Sequence, residues 1–198
     1  LFLATPAAAA ATDDGTSERA ILALALAGDP DALRRLYLAH GPRIRRFLRG
    51  MLGDAAAADD ATQETFVRAF RRLTTLRDGD RLVPWLFGIA RHVANETRRA
   101  RRRDAGAPLV ADRDEAHADT PEALLVGRET EARIGGVLAG LAEDRRAALL
   151  LRIDHGLSYD EIAELLGWSV AKAKVEVHRA RLVLRERLAG SDAGEEVP

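Results

Sequence analysis

The sequence predicts an all-α protein, in which two small helical domains are joined by a flexible acidic linker. Hydrophobic residues form 47% of the chain and aromatic residues only 5%, as expected for helical cores of Leu, Ala, Ile and Val. Apolar residues recur at steps of three and four, whereas the long β-branched and aromatic runs that would indicate strands are missing. Residues 104–121 combine Gly, Pro and acids without an apolar period, which is typical of a linker.

This pattern divides the 198 residues into five segments, and that length suits two small domains. A disordered N-terminal tail is predicted for residues 1–18, and the first helical domain for residues 19–103. The second helical domain is predicted for residues 122–189, after the linker, and a short acidic tail for residues 190–198.

Glycine, proline and capping residues set the predicted ends of the helices. Gly41–Pro42 is predicted to separate two helices within residues 29–51, and Gly53–Asp54 to end the second of them. The other predicted elements are, in order, helices capped at Ser17 and Asp29, a helix over 55–73, a polar loop over 74–81, a helix from Pro84 to about Arg103, and helices over 124–141 and 143–154.

The second domain ends in a helix-turn-helix pattern over residues 156–187. Ser158 can cap a helix with Glu161 completing a capping box, and Gly167 supplies the tight turn before Ser169 caps a second helix. The second helix is apolar on one side and basic on the other, with outward Lys172, Lys174, Arg179, Arg181 and Arg185. A DNA major groove accommodates such a helix. Periodicity alone also allows an ordinary helical hairpin with a solvated charged face.

Charge is segregated along the chain, although the net charge is only −1. Residues 91–103 contain six arginines against the single acid Glu96, whereas residues 104–131 contain eight acids against two arginines. The second helix of the helix-turn-helix is basic again. Two cationic blocks separated by an acidic one indicate a nucleic-acid partner better than the total charge does.

No catalytic, cofactor or metal site is predicted, and an enzyme is not indicated. The chain has no cysteine, which excludes disulfides and thiolate metal sites, and its five histidines show no ligand spacing. Paired carboxylates, a Gly-rich phosphate loop and a nucleophile–base set are also missing from the sequence. No segment approaches the roughly 20 apolar residues that span a bilayer, so a cytoplasmic protein without direct membrane insertion is predicted.

Two constellations in the first domain could carry function. Asp60, Gln63 and Glu64 lie at i, i+3 and i+4 and form either a docking surface for a basic partner or a solvated patch. Trp85 and the nearby arginine block could hold single-stranded nucleic acid by stacking and phosphate attraction. Alternatively, Trp85 and Phe87 belong to the core and the arginines form a solvated helix end.

Three sequence blocks resemble bacterial sigma factors of the extracytoplasmic-function group of the sigma-70 family. Residues 59–70 (DDATQETFVRAF) resemble region 2.2, and residues 85–92 (WLFGIARH) resemble regions 2.3 and 2.4. Residues 149–163, with LLLR and GLSYDEIA, and residues 178–181 (HRAR) resemble region 4. The blocks stand in the family's order, and the resemblance covers about residues 19–103 and 122–188.

The resemblance implies a sigma factor that binds core RNA polymerase and directs it to promoters, without a small-molecule substrate. Asp60, Gln63 and Glu64 would dock on the polymerase clamp helices, and region 4 would lie near the flap. The partners would be core RNA polymerase, promoter DNA and an anti-sigma factor that wedges between the domains. The −10 element would be captured by the loop 74–81 together with Trp85, Arg91, His92, Asn95, Glu96, Arg98 and Arg99. The −35 element would be read by Ser169, Lys172, Lys174, Glu176, Arg179 and Arg181.

Some positions depart from the family pattern. His92 and Glu96 stand where Asn and Asp are common, and Glu176 stands where a basic residue is usual. An acid at Glu176 would repel phosphates or accept from a cytosine amino group, so an unusual −35 preference is expected. Ala142 replaces the proline that often precedes the first region 4 helix. The alternative function is a stand-alone helix-turn-helix regulator, which leaves the Asp60 patch and the arginine block unexplained.

Overall fold

The computed structural model describes residues 18–105 and 133–192, and within these ranges all regular structure is helical, as predicted. Residues 1–17, 106–132 and 193–198 lie outside the described residues; they include most of the predicted tails and linker and the first part of the predicted helix over 124–141. None of the described helices is both long and apolar enough to cross a membrane. The helices are α1 Glu18–Leu26, α2 Pro30–Leu52, α3 Ala55–Arg71, α4 Leu82–Ala105, α5 over residues 133–139, α6 Glu143–Ile153, α7 Tyr159–Leu166 and α8 Val170–Asp192.

Helices α1–α4 form a first unit, whose ends follow local capping chemistry. The Asp29 carboxylate accepts a hydrogen bond from the Ala32 amide at 2.8 Å and begins α2, and Asp54 caps α3 in the same way. Gly53 ends α2 with a φ of 75°, a left-handed conformation that favours glycine. The predicted break at Gly53–Asp54 is therefore confirmed. Helix α4 begins two residues before Pro84. The proline is tolerated in this first turn, because the amides of the first turn need no acceptor within the helix.

The predicted break at Gly41–Pro42 is wrong, because α2 runs through both residues. Pro42 is exposed and removes a single helical hydrogen bond, the one that the carbonyl of Leu38 would accept. Leu38 is 59% exposed, so solvent can reach this part of the helix. One apolar face continues across the proline and keeps the helix in a single piece; its buried members include Leu36, Ile44, Phe47, Leu48 and Met51.

Helices α5–α8 form the second unit and contain the predicted helix-turn-helix. The amide of Glu161 donates to Ser158 Oγ at 3.2 Å, and the Ser158 amide donates to Glu161 Oε2 at 2.7 Å, which completes the capping box. Gly167 has a φ of 66° and makes the turn. Ser169 caps α8 by accepting from the Lys172 amide at 3.2 Å. This helix-turn-helix was predictable because each of these contacts is local.

The two units pack directly on each other, with α6 on α2 and α7 on α4. His155, just after α6, is buried and lies with its ring centroid 4.7 Å from that of Phe87 and 6.0 Å from that of Phe47. Leu150 of α6 lies against the backbone of α2 at Gly50, where a Cβ would be only 2.8 Å from Leu150 Cδ1. A single hydrophobic core therefore continues from one unit into the other.

Burial makes His155 a source of acid sensitivity. Burial first, and then the charges of Arg43 and Arg46, lower the pKa of His155 to about 3. The unfolded chain, with an ordinary histidine pKa near 6.5, therefore binds a proton first as the pH falls. This difference lowers the free energy of unfolding by about 1.4 kcal/mol per pH unit below 6.5, or about 2 kcal/mol at pH 5.

His155→Leu should remove this pH dependence. We expect urea unfolding at pH 7 and pH 5 to show a loss of stability that is about 2 kcal/mol smaller in the variant than in the wild type. The lowered pKa of His40 is shared by both proteins and cancels in the comparison. Equal losses of stability in the two proteins would show that His155 is not the source of this acid sensitivity.

Candidate nucleic-acid interface

An exposed polar stripe runs along α3, and we call Asp60, Gln63, Glu64 and Val67 the α3 stripe. All four side chains are exposed and follow one another at helical spacing. Val67, which is 42% exposed, was not predicted as part of this surface; its position one turn beyond Gln63 and Glu64 was the available signal. The stripe therefore offers an apolar contact beside its acids.

Arg68 connects the α3 stripe to α4. Its guanidinium lies 2.6 Å from Glu64 Oε1 and 2.7 Å from Glu96 Oε2. These contacts raise the pKa of Arg68 and lower that of Glu96 below its usual range. An open groove of about 280 Å³ lies between α3 and α4 and is lined by Asp60, Glu64, Arg68 and Glu96, among others. The structure thus joins a predicted docking residue to a predicted −10 residue through one arginine.

The arginine block on α4 is largely paired with acids. Arg91 lies 2.7 Å from Asp144, Arg101 lies 3.1 Å from Asp54, and Glu143 lies 3.6 Å from Arg98 and 3.3 Å from Arg102. These four arginines are therefore already matched by carboxylates in this arrangement. Sequence reasoning missed the pairing because Arg91 and Asp144 are 53 residues apart.

The other predicted −10 residues divide between surface and core. His92, Glu96 and Arg99 are exposed, whereas Asn95 is half-buried. Trp85 packs partly buried against the core, and Phe87 is completely buried, so packing is the role of the Phe87 ring. The loop before α4 contains the short 3-10 turns Leu73–Thr75 and Gly79–Arg81.

A cleft of about 510 Å³ separates α4 from the start of α6. Its lining includes Arg91, Asn95, Arg99, Arg102, Glu143 and Asp144. Arg91 Nε and Asn95 Oδ1 of this lining are buried without a hydrogen-bond partner, and so is Arg98 Nη1 of the same helix. Polar atoms left unpaired in this way reduce stability, so the α4 face is not fully satisfied by its contacts with α6.

The predicted −35 residues lie on the outer face of the helix-turn-helix, with one exception. Ser169, Lys172, Lys174, Arg179 and Arg181 are exposed, while Ala173, Val177 and Ala180 on the opposite face are fully buried. The ammonium group of Lys172 lies 4.6 Å from the Trp168 ring centroid and that of Lys174 lies 5.9 Å from the Tyr159 ring centroid. The cationic groups of α8 are therefore presented together on a rigid support.

Glu176 is the exception, because its side chain is only 13% exposed. Its carboxylate lies 2.6 Å from Arg145 Nε of α6 and 3.2 Å from Arg179 Nη1. The hydrogen bond from Arg145 is the first cause of the lowered pKa of Glu176. The acid is thus neutralised by two arginines of its own unit, and its proposed contact with a base remains a prediction.

Comparisons with known proteins match both units. The family described as Sigma-70 region 2 matches residues 36–104, and the family described as Sigma-70, region 4 matches residues 132–184. The RNA polymerase sigma factor CarQ of Myxococcus xanthus is 32% identical over 169 residues, covering 81% of this chain and 91% of CarQ. The ECF RNA polymerase sigma factor EcfG of Rhodopseudomonas palustris (strain TIE-1) is 36% identical over 157 residues, covering 76% of this chain and 82% of EcfG.

Two solved structures are similar across most of the chain. The sigma factor RpoE in complex with the anti-sigma factor NepR, from Bartonella quintana, has a TM-score of 0.66 at 25% identity and covers 79% of this chain and 96% of that one. CnrH in complex with the cytosolic domain of CnrY has a TM-score of 0.68 at 27% identity and covers 87% of this chain and 97% of that one.

Proposed function

The chain belongs to the extracytoplasmic-function group of sigma-70 factors, and on that premise we propose how its surfaces divide the work of promoter recognition. It is a sigma factor that directs core RNA polymerase to promoters. The observation that carries this function is the presence of region 2 and region 4 in one chain. A stand-alone helix-turn-helix regulator would account for only the second of these regions.

The α3 stripe is proposed to bind core polymerase. Its acids are exposed on a helix that is anchored by the buried Ala61, Thr65 and Phe66, so the stripe is held rigidly. An acidic surface with an apolar neighbour suits a basic partner helix, such as those of the polymerase clamp. Asp60, Gln63 and Glu64 would make the polar contacts and Val67 an apolar one.

Helix α4 and the loop before it are proposed to hold the melted −10 element. His92, Glu96 and Arg99 are accessible for this role in the described arrangement. Trp85, Arg91, Asn95 and Arg98 belong to the same proposed surface. Their arginines would supply salt-dependent phosphate affinity, and the other polar groups would distinguish bases.

Helix α8 is proposed to read the −35 element in the major groove. Lys172, Lys174, Arg179 and Arg181 face outward and suit phosphate and base-edge contacts, and Ser169 lies at the N-terminus of the same helix. Glu176 would enter this interface only after releasing an arginine, so a second proposed role is to hold Arg145 and Arg179 in place.

The chain is also proposed to be regulated by an anti-sigma partner. The similar structure of RpoE is described as a complex with the anti-sigma factor NepR, and that of CnrH as a complex with the cytosolic domain of CnrY. The first of these supports an anti-sigma partner here. The chain would act in the cytoplasm, with the chromosome, and would have no catalytic activity of its own. It belongs to a family of initiation factors that act through polymerase.

Promoter-specific transcription tests the proposed function. Core polymerase would be incubated with genomic DNA fragments with and without the full chain, and transcript 5′ ends would be sequenced. We expect a new set of start sites that share one −10 and one −35 sequence. Tight DNA binding by the chain alone, with no new start sites, would instead support the stand-alone regulator.

A further inference from the structure

We propose that Val175 recognises the methyl group of a thymine in the −35 element, and that Glu176 is a positioning residue turned out of the groove. This inference rests on the proposed function of α8 and deepens it, since it names the kind of base pair that the helix selects. Val175 is absent from the predicted −35 residues, which are all polar. The structure adds it because it lies at the middle of the exposed face of α8.

The exposed face of α8 carries no lysine, arginine or acid along its centre. Ala171, Val175 and His178 are exposed and follow one another at steps of four and three, so they form one row along the helix. The opposite face is fully buried and consists of Ala173, Val177 and Ala180. The row therefore points directly away from the core of the second unit.

Basic residues stand on both sides of this row. At about 100° per residue, Lys172 and Arg179 lie to one side of the row and Lys174 and Arg181 to the other, and all four are exposed. A helix in the major groove directs the middle of its outer face at the base edges, whereas its flanks approach the phosphate backbones. The basic flanks therefore suit the phosphates, and the row that contains Val175 suits the bases.

Glu176, next to Val175 in the chain, is turned toward α6. Its Oε2 accepts a hydrogen bond from Arg145 Nε at 2.6 Å, and its Oε1 lies 3.2 Å from Arg179 Nη1. Because each carboxylate oxygen already has an arginine donor, the acid offers no free acceptor to a cytosine amino group. The ion pair instead fixes Arg179, which lies one turn beyond Val175 on the neighbouring flank.

The position of Val175 distinguishes it from other exposed apolar residues. Single apolar residues on a protein surface are ordinary, and Ile153 at the end of α6 is 45% exposed, as much as Val175 at 46%. Val175, however, lies in the second turn of α8, and the N-terminal turns of such helices contact the base edges. Its basic flanks would bring the same turn into the groove.

Thymine is the base that an apolar side chain can recognise. Its C5 methyl is the apolar group that the base edges present in the major groove. The isopropyl group of valine has no donor or acceptor, so against guanine, adenine or cytosine it would cover polar edge atoms without pairing them. Contact with the methyl group instead removes apolar surface of both partners from water. Val175 therefore favours an A·T pair in the orientation that brings the methyl group to it.

A randomised −35 element tests this preference. Holoenzyme made from core polymerase and the full chain would transcribe a library in which the −10 element comes from the mapped start sites and the −35 element is random. We expect the wild type to select thymine at a position where Val175→Ala selects it at least about threefold less strongly. Ile153→Ala, which removes an equally exposed aliphatic side chain, should keep the wild-type preference.

Deoxyuridine at the selected position tests the methyl group itself, because it removes that group and leaves the hydrogen-bonding edge unchanged. Binding of holoenzyme to promoter duplexes with either base would be measured by fluorescence anisotropy. The wild type should bind the deoxyuridine promoter about fourfold more weakly, the effect of one buried methyl group. Val175→Ala should bind the two duplexes within about 1.5-fold, because the partner of the methyl group is gone.

Glu176→Gln tests the positioning role separately. A glutamine amide cannot pair with two guanidinium groups as a carboxylate does, so Arg179 would lose its fixed place. We expect binding to weaken for every −35 sequence alike, while the thymine-to-deoxyuridine ratio stays at about fourfold. A residue that contacts a base would instead change the selection at one position.

Each contrary result is separable from failure of the proposed function. Equal binding of the thymine and deoxyuridine promoters by the wild type, or the same loss in Val175→Ala, would overturn the methyl contact, although the sigma function would stand. A changed base preference at one position in Glu176→Gln would show that Glu176 contacts a base. The absence of specific start sites from the wild type and Ile153→Ala alike would contradict the sigma function and this inference together.

Discussion

Reversing two charges on the α3 stripe, in Asp60→Lys with Glu64→Lys, should weaken binding to core RNA polymerase at least about 100-fold. Both side chains are exposed, so neither substitution disturbs the core. A basic partner helix would then meet two lysines in place of two carboxylates, and like charges across an interface cost several kcal/mol. Affinity would be measured by fluorescence titration of labelled protein with core enzyme.

A charge-matched control separates this contact from a general effect of charge. Asp31→Lys with Glu186→Lys changes the net charge by the same amount, at two exposed acids on α2 and α8. This variant should bind core polymerase within about twofold of the wild type, because distant exposed charges are largely screened. Similar losses in both double variants would show that the α3 stripe is not the docking surface. Loss of the α3 contact should also be accompanied by a weaker salt dependence.

Arg146→Leu should lower the free energy of unfolding by about 3 kcal/mol. Arg146 is 3% exposed and donates to three backbone carbonyls: Met51 at 2.7 Å, Ala139 at 2.7 Å and Leu141 at 3.2 Å. Leucine would leave all three without this donor, one of them at the end of α2 in the other unit. The change would be measured by urea unfolding followed by circular dichroism.

The neighbouring arginine provides the control for this loss. Arg145 carries an ion pair to Glu176, and its side chain is 32% exposed. Arg145→Leu should therefore cost less than about 1 kcal/mol. Arg146→Lys should recover only part of the stability, because an ammonium group cannot reproduce the fork of a guanidinium. Equal effects of the Arg145 and Arg146 substitutions would show that the buried hydrogen bonds contribute little.

The capping residues and the turn of the helix-turn-helix were predicted correctly from the sequence, whereas the continuity of α2 through Pro42 was not. Ser158, Glu161 and Gly167 act on backbone groups within a few residues of themselves, so their types suffice to indicate the structure. The end of α2 at Gly53 follows from the same local chemistry. Pro42 also gives a local signal, but here the apolar face on both sides of it packs against the core and outweighs one lost hydrogen bond.

The ion pairs of the candidate-site residues could not be predicted from the sequence. The sequence indicated the acids of α3, the arginines of α4 and the cations of α8. It did not indicate that Asp144 would meet Arg91, or that Glu176 would meet Arg145. The first pair joins the two units, and the second joins two helices of one unit.

The amino-acid sequence by itself determined the all-α class and the helix-turn-helix. Periodicity and capping express hydrogen bonding and burial within one or two turns, which residue types report directly. Only the tertiary structure decided that Leu150 rests on Gly50, that Arg146 reaches the end of α2, and that α6 covers the arginine face of α4. Those contacts depend on how two separately patterned units approach each other, and no spacing along the chain encodes that approach.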